Sequence, residues 1–443
     1  MNPSARVKAT IDVLEKINAS KIPMDATIGD YMRNRRYIGS KDRADIVERL
    51  YNIMRSWARV GWHLEQAGIA DTPRTRVLSW LQLGEGRTQV DAEKMFDGSH
   101  YGPAPLAEGE YLALKSRDLN DPAMPEAVRV ECPPQHEQTL RDYFGSDFIP
   151  EMQVFLGGAS LDLRVNTRVS DREAVRESLQ KDSVKALPTP YSPWGLRLEN
   201  KTFLSKTKAF IKGWVDIQDE GSQMIAYLCG AQPGMQVLDY CAGAGGKTLA
   251  LAAAMNNKGR IVATDTEASR LEKGRQRFKR AHVSDIVEVR PLSDEKNRKW
   301  LRRQKETFDV VLADVPCSST GTWRRNPDLR WRSYGPSLEE LLPVQAEILE
   351  KIAKCVKPGG KLVYATCSLL PAENEKQIEA FVARHPEFAL VPVPDNISGD
   401  GPYMRLTPKR HNTDGFFAAV LQRNNISAKP AEDNDEEEVE AQA

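Results

Sequence analysis

The chain has little cysteine and little histidine, six of each among 443 residues. The cysteines, Cys132, Cys229, Cys241, Cys317, Cys355 and Cys367, form no CxxC pair, which argues against a zinc finger or a secreted disulfide framework. No metal is expected. Nor is there an apolar run of the roughly 18 residues needed to cross a bilayer. The opening "MNPSARVKATIDVLEKINAS" lacks the apolar centre of a signal peptide. A cytoplasmic protein with no membrane partner is expected. Net charge is also absent, at zero overall, but that balance is local. The tail "EDNDEEEVEAQA" (432–443) holds seven acids and no base, so the other residues carry +7. Such a like-charge run reads as disordered.

What is present is a globular composition, 40% hydrophobic and 28% charged, in a chain too long for one core. Positive charge gathers in "RLEKGRQRFKR" (270–280), "KNRKWLRRQK" (296–305) and "WRRNPDLRWR" (323–332). Any one of these is ordinarily a solvated helix face. Three together, two with tryptophan interleaved, suit phosphates and stacked bases, so a nucleic acid is the expected partner.

Residues 1 to about 85 have helical spacing, with Ile46, Leu50, Ile53, Met54 and Trp57 on one apolar stripe. A Gly- and Pro-broken stretch follows over 86–124. From about 125, "ASLDLRVNT" and "WGLRLE" read as strands around a helix "SDREAVRESLQKD" capped by Ser170 or Asp171. Beyond 216, short apolar strands at 236–240, 260–265, 286–290, 308–314 and 361–366 alternate with helices, the clearest at 268–281, 338–356 and 373–384. The second of these helices is expected to stop at "KPGG" (357–360). The alternation predicts a mostly parallel, doubly wound α/β sheet.

"VLDYCAGAGGKTLALAA" passes from strand to Gly-rich turn to helix. Gly243, Gly245 and Gly246 let a ligand approach the helix N-terminus. A phosphate loop would need glycine at 241, where Cys241 stands, and GxGxxG fails at Thr248. Asp265 closes the next strand 19 residues after Gly246, in position to grip ribose hydroxyls. A nucleoside cofactor follows, either NAD or S-adenosylmethionine. A turn glycine-rich only for packing is the plainer alternative.

Cys317 in "DVPCSSTG" and Cys367 in "VYATCSLLP" each follow a strand. A disulfide, a metal site, a catalytic pair and two buried thiols are the options. In a doubly wound sheet both loops emerge at the carboxyl edge where ligands bind, about 5 Å apart if the strands are neighbours. There a thiolate can attack an electrophilic carbon, with the other thiol and Asp314 handling protons.

These segments resemble a known family. "DVPCSSTGTWRRNPDLRW", "ATCSLLPAENE", "CAGAGGKT", "GWVDIQDEGSQM" (213–224) and "HNTDGFFAAVLQR" (411–423) are similar, in order, to motifs of the Sun (or Fmu) RNA cytosine-C5 methyltransferases. Ala244 stands where the family has proline and Gly243 where it has alanine; Asp294 comes slightly late for the acid beside the adenine. The resemblance implies a Rossmann-like methyltransferase domain that binds S-adenosylmethionine. The cofactor would be held through Cys241, Ala242, Gly243, Ala244, Gly245, Gly246, Lys247, Asp265, Arg270 and Asp314. It further implies Cys367 as the nucleophile at cytosine C6, Cys317 as the thiol that resolves the adduct, and Asp314 at cytosine N3. The N-terminal block resembles a NusB-like RNA-binding domain, and the small α+β unit an RNA-recognition-like extension.

The expected organisation is a helical domain at 1–118, an α+β extension at 125–212, a methyltransferase domain at 213–425 and an acidic tail at 426–443. The expected function is methylation of a 16S rRNA cytosine by a monomer, with free or immature rRNA as partner. A tRNA cytosine methyltransferase is the main rival, and a non-catalytic ribosome-assembly factor a more distant one. An NAD dehydrogenase would leave the two cysteines and the basic clusters unexplained.

Overall fold

The computed structural model describes residues 1–108, 110–111, 118–200, 202–399 and 401–425. The expected acidic tail lies outside the described residues, as do 109 and 112–117 of the expected helical domain. The N-terminal region is helical at Pro3–Ala19, Met24–Arg33, Ser40–Met54, Trp57–Ala67, Pro73–Leu83 and Gln89–Met95. Asn2 caps the first helix by accepting from the Ala5 N–H at 2.8 Å. Ile46, Leu50, Ile53 and Met54 are fully buried in one core with the first helix, and Trp57 packs against its edge. The last helix falls inside the stretch that Gly and Pro marked as a connection. Its Thr88–Asp91 capping box supplies the start signal that the reading passed over.

Residues 125–154, expected to open the α+β unit, are instead three short helices, Glu126–Arg129, Pro134–Phe144 and Phe148–Val154. The unit itself begins later. Strands β1 (Asp162–Val165), β2 (Ala186–Pro188), β3 (Gly195–Leu198) and β4 (Val215–Ile217) form an antiparallel sheet in the order β2-β3-β1-β4. Of the two candidate caps, Ser170 and Asp171, it is Asp171 that accepts from the Ala174 N–H at 2.8 Å and starts the helix Arg172–Lys181. Strand β4 comes from the segment 213–224, so the chain that introduces the catalytic region also completes this small sheet.

The large sheet contains β5 (Gln236–Asp239), β6 (Arg260–Asp265), β7 (Val287–Pro291), β8 (Phe308–Asp314), β9 (Val356–Thr366), β10 (Phe388–Val391) and β12 (Phe416–Arg423), with β11 (Met404–Leu406) paired to β12. Its order is β10-β12-β9-β8-β5-β6-β7; the five strands from β9 to β7 are parallel, β12 runs antiparallel to β9, and β10 runs antiparallel to β12. Val237, Ile261, Val310 and Val363 bury one face, and Leu238, Val262, Val311 and Leu362 the other. That two-sided burial is why these strands read as continuous apolar runs. The helix Leu338–Ala353 ends before "KPGG", which lies within β9. There Gly359 sits at φ +73°, which glycine adopts without strain.

The cluster "WRRNPDLRWR" (323–332) was expected to add to an RNA-binding surface. It turns inward instead. Arg324, Asp328 and Arg330 are buried, and the Arg330 guanidinium lies 5.1 Å from the Trp323 ring. Asp328 accepts from the Met24 N–H at the start of a helix, while Arg332 donates to the Ser20 carbonyl just past the end of another. Opposite charges thus meet the opposite helix poles that favour them, and the motif clasps the N-terminal helices to the catalytic region. Among the described residues no helix is long and apolar enough to cross a membrane.

Candidate active site

The direction of winding reverses between β5 and β8, the point at which doubly wound sheets bind ligands. A cleft of about 310 Å³ opens there, lined from the sheet side by Asp239, Cys241, Ala242, Gly246, Lys247 and Asp314. Ile217, Gln218, Asp219, Ser222, Arg277 and Arg325 close it. The Gly-rich turn leads into the helix Gly246–Ala254. Gly245 has φ +77°, and a Cβ there would stand 2.4 Å from the Phe278 ring, so the turn depends on glycine. Asp265 braces the turn from behind. Its carboxylate accepts from the Gly243 and Glu267 N–H groups, each at 2.9 Å, and Arg270 lies 3.8 Å away. Gly243, Ala244 and Gly245 form the turn, while Asp265 and Arg270 stand behind it, outside the cleft lining. Asp294 is exposed and caps the helix Glu295–Arg302 through the Lys296 N–H.

Lys247 donates to Asp314 at 2.6 Å. Burial opposes the lysine charge, but the carboxylate beside it holds the pKa above its ordinary value. Asp239 was not singled out in the sequence, although it ends a strand at the ligand edge. It accepts from the Thr248 hydroxyl through Oδ2, and its buried Oδ1 has no partner among the described residues. Burial pushes it up to about 6, against that hydrogen bond and the Lys247 charge. An unpartnered buried carboxylate oxygen beside a cleft fits a cationic ligand group. Gln218, Asp219, Arg277 and Arg325 were missed too, because they reach the cleft from other elements. Arg325 bridges Asp414 at 2.8 Å and Asp219 at 3.1 Å. Burial and then the Asp414 charge push Asp219 up to about 7.

Cys317 and Cys367 follow the neighbouring strands β8 and β9, and their Sγ atoms are 3.5 Å apart. Both are free and half-buried. The Cys367 thiol is held below its ordinary pKa, first by the hydrogen bond from Cys317, then, against burial and Asp314, by Ser319 and Lys247. Cys317 is pushed well up by that same bond, by burial and by the Cys367 charge. The two thiols are therefore unequal, Cys317 raised and Cys367 lowered. The Gly321 N–H donates to the Cys367 carbonyl at 2.9 Å, which docks the two cysteine loops together, and the Gly415 N–H donates to the Gly321 carbonyl at 2.8 Å.

Residues 226–422 match the family described as "16S rRNA methyltransferase RsmB/F", and residues 155–204 its ferredoxin-like domain. The probable ribosomal RNA small subunit methyltransferase B of Synechocystis is 36% identical over 271 residues, 60% of each chain. Ribosomal RNA small subunit methyltransferase B of Pectobacterium atrosepticum is 36% identical over 263 residues, 59% of each. The match thus spans about three-fifths of the relatives' length. Among solved structures, PH0851 aligns with 96% of this chain and 99% of its own at 27% identity and a TM-score of 0.77. A methyltransferase homologue from Pyrococcus horikoshii aligns with 67% of this chain and 97% of its own, also at 27% identity, with a TM-score of 0.57. With the sheet, the small ferredoxin-like unit and the Gly-rich turn in place, residues 155–204 and 226–422 match the two domains described for the RsmB/F methyltransferase family.

Proposed function

We propose that this protein methylates C5 of a cytosine in RNA, with small-subunit ribosomal RNA as the substrate, through a covalent bond from Cys367 to C6. The observation that carries this reading is the unequal thiol pair, 3.5 Å apart beside Lys247 and Asp314. Cytosine C5 is a weak nucleophile until a group adds at C6, and a lowered thiol is suited to add there. S-adenosylmethionine, when bound, supplies an electrophilic methyl group. Asp239 would hold its ammonium and the Gly-rich turn would pack against its body.

As Cys367 adds to C6, the Lys247–Asp314 pair supplies a proton to N3 and C5 becomes electron-rich. After methylation the C5–H bond must break, its electrons closing the C5=C6 bond as the S–C6 bond opens. Cys317 is the base for that step. Once Cys367 is a thioether, its hydrogen bond and charge, two of the causes that raise Cys317, are gone, which favours loss of the Cys317 proton to solvent. The resulting thiolate takes the C5 proton, Cys367 departs as a thiolate, and N3 returns its proton to the Lys247–Asp314 pair. The target base must be out of its stack, in single-stranded or locally opened RNA.

The test is methyl transfer from labelled S-adenosylmethionine to free 16S rRNA and to tRNA, followed by bisulfite sequencing. Cys367→Ala should abolish transfer, and Cys317→Ala should leave protein covalently bound to RNA. Label in tRNA alone would overturn the ribosomal substrate. Adducts formed by Cys367→Ala would reverse the two roles.

A further inference from the structure

Beneath the two cysteines lies a carboxylate that the chemistry above does not use. Glu373 is fully buried, and both its oxygens are occupied from both cysteine loops. Oε1 accepts from the Ser318 N–H at 2.8 Å and from Gln345 Nε2 at 3.0 Å. Oε2 accepts from the Ser318 hydroxyl at 2.5 Å and from the Ser368 hydroxyl. Ser318 and Ser368 are the residues immediately after Cys317 and Cys367. One side chain therefore joins the two loops at equivalent points, one residue past each sulfur. Gln345 adds a third tie by donating also to the Pro316 carbonyl at 3.0 Å. A buried carboxylate is costly unless several donors satisfy it, and four do so here.

We propose that Glu373 is a positioning residue that locks the two cysteine loops in register and keeps the shared proton on Cys317, leaving Cys367 as the nucleophile. The carboxylate accepts both the N–H and the hydroxyl of Ser318 but only the hydroxyl of Ser368, so more of its contacts fall on the Cys317 loop. After the contacts with Cys367 and burial, it is a further cause of the high Cys317 pKa. Fixed charge next to one of two coupled thiols decides which of them ionises. The inference rests on the cytosine-methylation reading for its consequence, but its first readout does not.

That readout is alkylation of the whole protein with limiting iodoacetamide, mapped by peptide mass spectrometry. In the wild type, label at this pair should fall mainly on Cys367. Glu373→Gln, which keeps the shape and removes the charge, should raise the Cys317-to-Cys367 label ratio several-fold and cut RNA methylation at least about tenfold, with the KM for cofactor unchanged. Glu373→Asp, which keeps the charge, should restore the labelling preference. Ser318→Ala, a milder variant that leaves the carboxylate in place, should shift the ratio less, in the same direction. A wild-type label ratio in a folded Glu373→Gln protein would overturn the proposal. So would equal effects of Gln and Asp, the mark of a purely structural role. Should Glu373→Gln fail to fold, an unchanged ratio in Ser318→Ala would overturn it. If wild-type protein methylates no RNA cytosine but the labelling shifts as stated, the proposed function fails and the role of Glu373 stands.

Discussion

The carboxylate of Asp328 accepts the Met24 N–H at 2.9 Å across a separation of 304 residues. It joins the loop after Cys317 to the first turn of an N-terminal helix, and Asp328 is only 3% exposed. Losing a buried charged acceptor leaves that N–H unpaired and costs about 1.5–3 kcal/mol. Asp328→Ala should therefore lower the melting temperature and speed tryptic release of the N-terminal helices, and Asp328→Asn should do so less. Calorimetry and timed proteolysis read both effects.

Asp239 gives the cleft a pH dependence with a definite sign. Its carboxyl is raised from 3.8 to about 6 by burial, with Lys247, Asp265 and Asp314 as its charged neighbours. Below about 6 it is neutral and offers a bound ammonium nothing; above it the charge is available. Affinity for S-adenosylmethionine or S-adenosylhomocysteine should rise as pH goes from 5 to 7.5. Asp239→Asn should flatten that rise and weaken binding about tenfold at the upper end. In the ligand-free protein the same group favours folding fully below 3.8, and that contribution is lost as pH rises through 6. Calorimetric titration across the range checks the binding, and melting scans check the linkage.

Gly321 tests the docking of the cysteine loops. A Cβ there would stand 2.1 Å from the Gly415 carbonyl oxygen, a backbone atom that cannot swing aside. Gly321→Ala should push the Cys317 loop off the Gly415 segment, disturb the Gly321–Cys367 hydrogen bond and abolish covalent capture of RNA by Cys367. Cofactor affinity should hold, because neither glycine lines the cleft. Binding calorimetry and a gel assay for the protein–RNA adduct separate these outcomes.

What was legible in the sequence is what is local to the chain. A strand, a Gly-rich turn and a helix follow one another from Gln236 to Ala254, so the cofactor turn could be read directly. The two cysteines could be placed because each follows a strand, and sheet topology supplies the rest. What failed was the direction of side chains. Arg324 and Arg330 count as positive charge wherever they point, and only packing against Trp323 and the N-terminal helices shows that they face inward. Glu373 was visible within "PAENE", yet its value depends on Ser318, fifty-five residues earlier in the chain. Gln218 and Arg277 reach the cleft from elements whose own patterns say nothing of a ligand.

Arg164 draws a line between stability and binding. It is 2% exposed on β1 of the small sheet, yet it donates to the Gly246 carbonyl at 2.7 Å and to Gln218 Oε1 at 2.5 Å, both in the cleft wall. Burial lowers its pKa to about 10, so it stays charged at neutral pH without a carboxylate bonded to it. Removing such a buried charge relieves a desolvation cost that offsets the hydrogen bonds lost. Arg164→Met should accordingly change stability by no more than about 1 kcal/mol, a shift of a few degrees. Gln218 and the Gly246 carbonyl, however, would lose the donor that fixes them, and cofactor affinity should fall about tenfold. A large drop in melting temperature with unchanged affinity would mean that Arg164 braces the small sheet and does not shape the cleft.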